Sequence, residues 1–135
     1  MFILRLLILF LLLSGSLCCQ DILQRSYKAV WHDKSGRYTI KENMTDTCKI
    51  LSLVTRERDF ERLQCLTKVG DDEHFIVAET IDINQVLQYW IINKEKDNIE
   101  MKTSQIVEGP FDIIKFTNRK KELGIAYLNF QAKIE

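Results

Sequence analysis

Beyond its N-terminal segment, this 135-residue chain has two cysteines and two histidines that could bind a metal, form a redox pair or form a disulfide. Structural zinc needs four ligands, usually in pairs a few residues apart, and His32 and His74 form no such pair with either cysteine. A C-x-x-C redox motif is absent as well. We therefore expect a structural disulfide between Cys48 and Cys65, with free or intermolecular thiols as the alternative. We expect no metal site and no cofactor.

This sequence contains no clear set of catalytic residues. Nucleophilic catalysis usually needs a histidine base, and neither G-x-S-x-G nor H-E-x-x-H occurs. His32 and His74 lie at the ends of predicted strands, where surface positions are expected. The neighbouring carboxylates of Asp71 and Asp72 lie in a predicted turn, where exposure to solvent is sufficient to explain charged side chains. The sequence favours a protein that is not an enzyme.

The first residues, "MFILRLLILFLLLSGSLCCQD", have the layout of a secretory signal peptide, with one basic residue before a short apolar run. We predict a signal peptide over residues 1–19, with cleavage between 16 and 19, and one secreted domain over 20–135. Whether Cys18 and Cys19 remain in the mature chain stays open. Secretion agrees with a disulfide and with the sequon Asn43-Met44-Thr45, which predicts a glycan on Asn43.

Charge restricts the partners that the chain could bind. The full chain has 19 basic and 19 acidic side chains, so removal of Arg5 with the leader leaves 18 against 19, a net charge of −1. The two signs alternate, as in "TRERDFER" and "NKEKDN", with no block of one sign. We therefore expect no nucleic-acid partner and no membrane span after signal cleavage. The expected partner is a small hydrophobic ligand or an extracellular protein.

Short apolar segments separated by polar turns predict an all-β fold of eight or nine consecutive antiparallel strands. The proposed strands include "GRYTIKE", "TCKILSLV", "ERLQCLTK", "HFIVAET", "IEMKT", "FDIIKF" and "GIAYLNF". In a hairpin of "TCKILSLV" with "ERLQCLTK", the two cysteines are equidistant from the centre and lie opposite each other. We predict a small antiparallel β-barrel in a meander, with a β-sandwich as the alternative.

The segment "DINQVLQYWII" is ambiguous. Its apolar residues recur at helical spacing after a possible N-cap at Asp82, which would give an α+β fold with one helix at 82–92. The cluster "QYWII" is instead rich in strand-forming residues. We favour a strand and keep the helix as the alternative.

The strand pattern resembles that of lipocalins (calycins), the secreted β-barrels of which arthropod salivary proteins are a divergent kind. The resemblance begins at "YKAVW", continues through "RYTIKENMTDTCKI" and extends along the meander to "GIAYLNF". It implies a lipocalin-like barrel that holds a ligand, with Trp31 closing the barrel floor.

Aromatic residues occur in almost every predicted strand, and inward residues of a small barrel can line a pocket for one ligand. We therefore expect a non-enzymatic protein that holds a small apolar ligand. The candidate wall residues are Trp31, Tyr38, Ile40, Phe75, Val77, Tyr89 and Met101.

The rival hypothesis is an extracellular protein–protein interaction module, such as a host-directed antagonist, a protease inhibitor, or an immune or reproductive factor. Such a module would act through its loops, and aromatic residues among charges are the candidates: Arg56, Arg58, Phe60 and Phe111. The segment "QIVEG", Gln105–Gly109, matches the Q-x-V-x-G loop of cystatins. This resemblance implies protease inhibition as one form of the rival.

Overall fold

A computed structural model describes residues 27–43, 48–98 and 102–135. The described strands form two antiparallel sheets. The first has the order β1-β2-β3-β4 and contains Tyr27–His32, Tyr38–Asn43, Lys49–Val54 and Asp59–Gln64. The second has the order β8-β7-β6-β5-β9 and contains, numbered along the chain, Leu66–Asp71, Phe75–Ile81, Leu87–Asn93, Val107–Phe111 and Ala132–Lys133. Two helices, α1 and α2, follow β7 and β8, at Thr103–Ile106 and Ile113–Glu122.

The predicted all-β class is confirmed, but the described strands do not close into the predicted barrel. The strands β4 and β5 are nearly continuous in sequence and belong to different sheets. Cys65 lies between them with a φ of 57°, in the left-handed region that residues other than glycine rarely adopt. This corner turns the chain from one sheet to the other, so the meander is divided into two sheets that pack on one core.

The strand interpretation of the segment 82–92 is confirmed from Leu87 onward, residues 82–86 form a turn, and the alternative helix is wrong. The Asp82 carboxylate accepts hydrogen bonds from the backbone nitrogens of Asn84 and Val86, at 2.8 and 2.9 Å. Side chains of this type stabilise turns, and here the turn joins β6 to β7. The chain then pairs with β6 from Leu87 onward. Ile83 and Val86, which fitted the helical spacing, lie exposed in the turn.

The second sheet is buried on both faces, which gives the molecule three layers. On one face, Ile76, Ala78 and Ile92 pack against the first sheet. On the other face, Val77 and Ile91 pack in a second cluster with α2 and the C-terminal segment. A strand covered on both faces has a nearly continuous apolar sequence, and "FIVA" in β6 has this form.

The C-terminal predictions are wrong in three places. The proposed strand "FDIIKF" begins as the end of β8 and continues as α2, because the Asp112 carboxylate accepts a hydrogen bond from the Lys115 backbone nitrogen at 2.8 Å and caps the helix. The segment "NRKKELG", whose charged residues and glycine predict a solvated hairpin turn, is instead largely the second half of this helix. The proposed strand "GIAYLNF" is irregular, with Ile125 and Leu128 buried in the second cluster. Only the short β9 extends the sheet there.

Several sequence predictions fall on parts of the chain outside the described residues. These are the signal peptide at 1–19 with Cys18 and Cys19, the sequon residues Met44 and Thr45, and residues 99–101 of the proposed strand "IEMKT", which include Met101. Thr103, from the end of that proposed strand, begins α1. Within the described ranges, no helix is long and apolar enough to cross a membrane.

Candidate functional site

The disulfide between Cys48 and Cys65 is present, as the sequence predicts, with the two Cα atoms 4.3 Å apart. Cys48 comes just before β3 and Cys65 just after β4, and the two strands pair as the predicted hairpin. Closing a loop of this length stabilises a fold by about 3 kcal/mol in the chain-entropy model. The bond also fixes the corner at which the chain changes sheets.

A large open pocket lies beside this bond, and we call it the disulfide pocket. Its volume is about 1410 Å³, and strands of both sheets border it. Its apolar lining residues are Leu63, Leu66, Ile81, Ile83, Trp90, Val107, Pro110 and Ile134, together with the disulfide. Polar and charged side chains also line it, among them Thr80, Gln88, Ser104, Lys49, Glu61, Arg62, Asp82 and Glu135. The pocket is therefore the solvent-open end of the core between the sheets.

Trp90 is held in a fixed position in the wall of this pocket. Its indole nitrogen donates a hydrogen bond to the Thr80 hydroxyl at 2.7 Å. Gly109 in β8 lies against the ring, and a Cβ atom added there would come within 2.7 Å of the Trp90 side chain. The φ of Gly109 is 135°, a conformation that side chains strongly disfavour. Glycine at this position thus lets β8 approach the tryptophan.

A buried charged network contacts one side of the disulfide pocket. Arg62, which lines the pocket, donates to both carboxylate oxygens of Asp97, at 2.8 and 3.2 Å. The Tyr38 hydroxyl donates to the same carboxylate at 2.7 Å, and all three residues are buried. Burial, followed by this hydrogen bond to Asp97, raises the pKa of Tyr38 far above its ordinary value. The tyrosine therefore remains a neutral donor.

A second buried network surrounds Lys94, just after β7. The Lys94 ammonium contacts the carboxylates of Asp33 and Asp71, at 2.8 and 3.1 Å, and the backbone oxygen of Asp72 at 2.7 Å. Burial opposes the ionisation of Asp33, but hydrogen bonds from Lys94, Ser35 and a backbone nitrogen outweigh it and lower the pKa of Asp33. One ammonium is thus shared by a carboxylate that follows β1 and a carboxylate at the end of β5, and the arrangement joins the turns of the two sheets.

The sequence missed these networks because their members occur in segments that read as solvated turns. Asp33 belongs to "DKSG", and Lys94 and Asp97 belong to "NKEKDN". Buried lysine and aspartate are rare unless paired, and nothing local indicates that these turns face each other. No sequence signal pointed to the disulfide pocket beyond its two cysteines.

The structure divides the predicted wall residues between the two faces of the second sheet. Tyr38 and Ile40 are fully buried in the core between the sheets, and Trp31 packs against that core. Val77 and Tyr89 belong to the outer cluster, and Phe75 packs against it. None of these six lines the disulfide pocket, and Met101 lies outside the described residues.

The predicted interaction residues lie in the β3–β4 hairpin and at the end of β8. Arg56 and Arg58 are exposed in the turn between β3 and β4, and the Arg58 guanidinium lies 4.5 Å from the centre of the Phe60 ring. Phe111 ends β8 and packs against the outer cluster. The cystatin-like segment Gln105–Gly109 passes from α1 into β8 and forms no free loop.

Metal ligands do not gather in the part of the chain that the structure describes, where no three His, Cys, Asp or Glu side chains could hold an ion together. His32 is exposed. His74 is also exposed, with its Nδ1 atom 2.5 Å from a carboxylate oxygen of Glu95. Neither histidine contacts the disulfide pocket.

Comparison with protein-family models, with curated proteins and with solved structures finds no match for this chain. The class of the protein is therefore defined by its own structure. Over the described residues it is an all-β protein of two antiparallel sheets, with the Cys48–Cys65 disulfide beside an open pocket.

Proposed function

We propose that this protein is a secreted, lipocalin-like, non-enzymatic carrier that holds a small and largely apolar ligand in the disulfide pocket. The observation that carries the proposal is the pocket itself, about 1410 Å³ in volume, with a wall that is apolar in part, at Trp90 and several aliphatic side chains, and otherwise polar or charged. Ligand sites are typically concave, mostly apolar and equipped with a few polar groups, with volumes of about 300–1,000 Å³. The disulfide pocket is larger than this range, so a bulky or long apolar ligand fits with one side in solvent.

The position of the ligand follows from the packing around the pocket. Tyr38, Ile40 and Leu51 fill the core between the sheets and are fully buried, so a ligand would occupy only the open end. There the ligand would lie against the fixed ring of Trp90. Gln88 would supply a hydrogen-bonding group at the wall, as would the hydroxyl of Ser104.

Secretion is supported by two independent features. The leader-like N-terminal sequence has the layout of a signal peptide, and the Cys48–Cys65 disulfide is of the kind that persists in oxidising compartments. The bond borders the pocket, so oxidation of the chain would also shape the site.

The direct test uses N-phenylnaphthylamine, a neutral apolar dye that fluoresces when it leaves water. We expect saturable binding with energy transfer from tryptophan, and loss of most of that transfer in Trp90→Phe. Glu61, Asp82 and Glu135 already contribute carboxylates to the wall, and the isosteric Gln88→Glu change adds one two residues from Trp90 on the same strand. We expect it to weaken dye binding roughly tenfold. The matched control is Asn118→Asp, on the exposed face of α2 and away from the pocket. Equal binding by both variants would place the dye elsewhere and contradict the proposal.

Native mass spectrometry of the protein secreted from eukaryotic cells would identify a natural ligand. Extra native mass of a few hundred daltons that disappears on denaturation supports a carrier. The denatured mass also reports the signal cleavage site, any glycan on Asn43 and the loss of two hydrogens on disulfide formation.

A second candidate is an extracellular protein–protein module, and one observation favours it. Three apolar residues of the β6–β7 hairpin are exposed, and the first of them is also at the wall of the pocket: Ile83 at 94%, Val86 at 54% and Leu87 at 45%. Absence of dye binding and of extra native mass would favour this candidate. Ile83→Ser would then weaken binding to a partner captured from the extracellular fluid, whereas Asn118→Ser would not.

A further inference from the structure

A second pocket lies on the opposite face of the second sheet, between α2 and the C-terminal segment, and we call it the lysine pocket. Its volume is about 540 Å³, within the range of about 300–1,000 Å³ typical of ligand sites. Its lining combines three lysines with two aromatic rings and polar neighbours: Lys68, Lys120, Lys133, Phe116, Phe130 and Thr117.

The positive charges converge without an equal number of negative ones. Lys68 and Lys133 lie directly opposite each other on β5 and β9, and like charges in such positions destabilise a sheet. Lys68 lies 3.9 Å from the Glu79 carboxylate, which already accepts a hydrogen bond from the Thr67 hydroxyl at 2.7 Å. Among the described residues, neither Lys120 nor Lys133 has an ion pair. The pocket therefore holds positive charge that an anion would neutralise.

An apolar surface lies next to this charge. The rings of Phe116 and Phe130 are nearly parallel, with an angle of 2° and a distance of 6.0 Å between their centres. The Lys120 ammonium lies 5.3 Å from the centre of the Phe116 ring. Burial also lowers the pKa of Lys120, because desolvation disfavours its charge, and a bound anion would offset that cost.

We propose that the lysine pocket binds an amphipathic organic anion, with a single charged head such as a carboxylate or sulfonate on a flat apolar body. The head would lie among Lys68, Lys120 and Lys133, and the body would lie against the exposed part of Phe130. This site shares no lining residue with the disulfide pocket. The inference therefore stands independently of the proposed carrier function.

Two dyes with the same ring system separate the two sites. Anilinonaphthalene sulfonate carries a sulfonate that N-phenylnaphthylamine lacks, so only the first should need the lysines. In the folded, disulfide-bonded protein, we expect the double change Lys120→Gln and Lys133→Gln to weaken sulfonate binding roughly tenfold. Binding of the neutral dye should stay unchanged. The sulfonate affinity of the unaltered protein should also fall as salt is raised.

The matched control is the double change Lys115→Gln and Lys121→Gln, which removes the same charge from exposed positions of α2 outside the pocket. We expect it to alter sulfonate affinity less than twofold. Circular dichroism of each variant verifies the fold, and Lys133→Gln alone serves if the double variant does not fold. The proposal would be overturned if the pocket and control variants weakened sulfonate binding equally. It would also be overturned if Gln88→Glu weakened sulfonate binding and the pocket variant did not. Loss of neutral-dye binding alone would contradict the carrier function and leave this inference intact.

Discussion

The Tyr38 hydroxyl donates a hydrogen bond of 2.7 Å to Asp97, which lies 59 residues later in the chain. Tyr38 begins β2 in the first sheet, and Asp97 lies in the segment after β7 of the second sheet. Arg62 in β4 holds the same carboxylate with two further hydrogen bonds. One buried aspartate thus connects three separate parts of the fold, and its removal should affect the packing of the two sheets on each other.

Tyr38→Phe removes one hydrogen bond to a buried carboxylate and leaves the ring in place. We expect a loss of about 1.5–3 kcal/mol in the free energy of unfolding, the usual contribution of a hydrogen bond to a charged group. Urea denaturation followed by tryptophan fluorescence measures this change. The matched control is Tyr127→Phe, whose hydroxyl donates to Asp72 at an exposed position. A loss in the control as large as in Tyr38→Phe would contradict the role of burial.

Lys94→Met would leave two buried carboxylates, Asp33 and Asp71, without their shared cation. Breaking a buried ion pair in this way costs about 3–5 kcal/mol because an uncompensated charge remains. We expect a loss of this size at neutral pH, measured by urea denaturation. The double change Lys94→Met and Asp33→Asn should recover part of it, since one charge is then removed. The contrary result, a double variant no more stable than the single one, would show that the lysine acts by packing alone.

Acid should destabilise the protein through Asp33. The pKa of Asp33 is below its ordinary value in the folded protein, so its ionised form stabilises the fold above the unfolded pKa. That contribution is lost as the pH falls through the folded pKa. We expect the urea midpoint of the unaltered protein to decrease below about pH 4. In Asp33→Asn the decrease should be shallower than in the unaltered protein, and an equal decrease in both would contradict the role of Asp33.

The local sequence carried enough information to predict the β3–β4 hairpin and its disulfide. The two strand-forming segments lie on either side of one turn, and Cys48 and Cys65 are at equal distances from its centre. The pairing of these segments therefore depends only on residues that are close together in the chain. The β-sandwich alternative contains two sheets, but the point at which the chain passes from one sheet to the other could not be predicted, because it depends on a positive φ at Cys65, a residue that seldom adopts one. The apolar residues of α2 fitted a strand equally well, and only Asp112 as N-cap distinguished the helix.

The candidate sites were harder to predict than the strands. Alternation identified residues that would be buried, such as Tyr38 and Val77, but not which layer each would join. Both faces of β6 are covered, so the burial of a residue in this strand does not show which of the two clusters it joins. The disulfide pocket and the lysine pocket form where segments distant in the chain meet, as when Lys120 of α2 comes close to β9.

Removal of the disulfide should reduce both stability and ligand binding. We expect Cys48→Ala with Cys65→Ala to lose about 3 kcal/mol in the free energy of unfolding. Binding of N-phenylnaphthylamine should weaken as well, because both cysteines line the disulfide pocket. A reducing agent should produce the same loss in the unaltered protein and no further loss in the double variant. Unchanged dye binding in a destabilised variant would separate the pocket from the disulfide.

Gly109→Ala tests the close approach of β8 to Trp90. The new Cβ atom would meet the Trp90 ring and the Tyr89 backbone oxygen, each at 2.7 Å, from a backbone with φ of 135°. Overpacking and backbone strain together should cost about 2–4 kcal/mol. The emission of Trp90 should also shift as its ring is displaced from the Thr80 hydroxyl.

The control for this change is Gly36→Ala, which has a φ of 73° and nothing within 4 Å of the new Cβ atom. Its free energy of unfolding should fall only by the cost of backbone strain, roughly 1 kcal/mol, and dye binding in the disulfide pocket should stay unchanged. Gly109→Ala should weaken that binding, because displacement of Trp90 alters the pocket wall. If both variants lost the same stability and bound the dye equally, glycine would be needed at position 109 only for its backbone conformation. The position of Trp90 would then not depend on the close approach of Gly109.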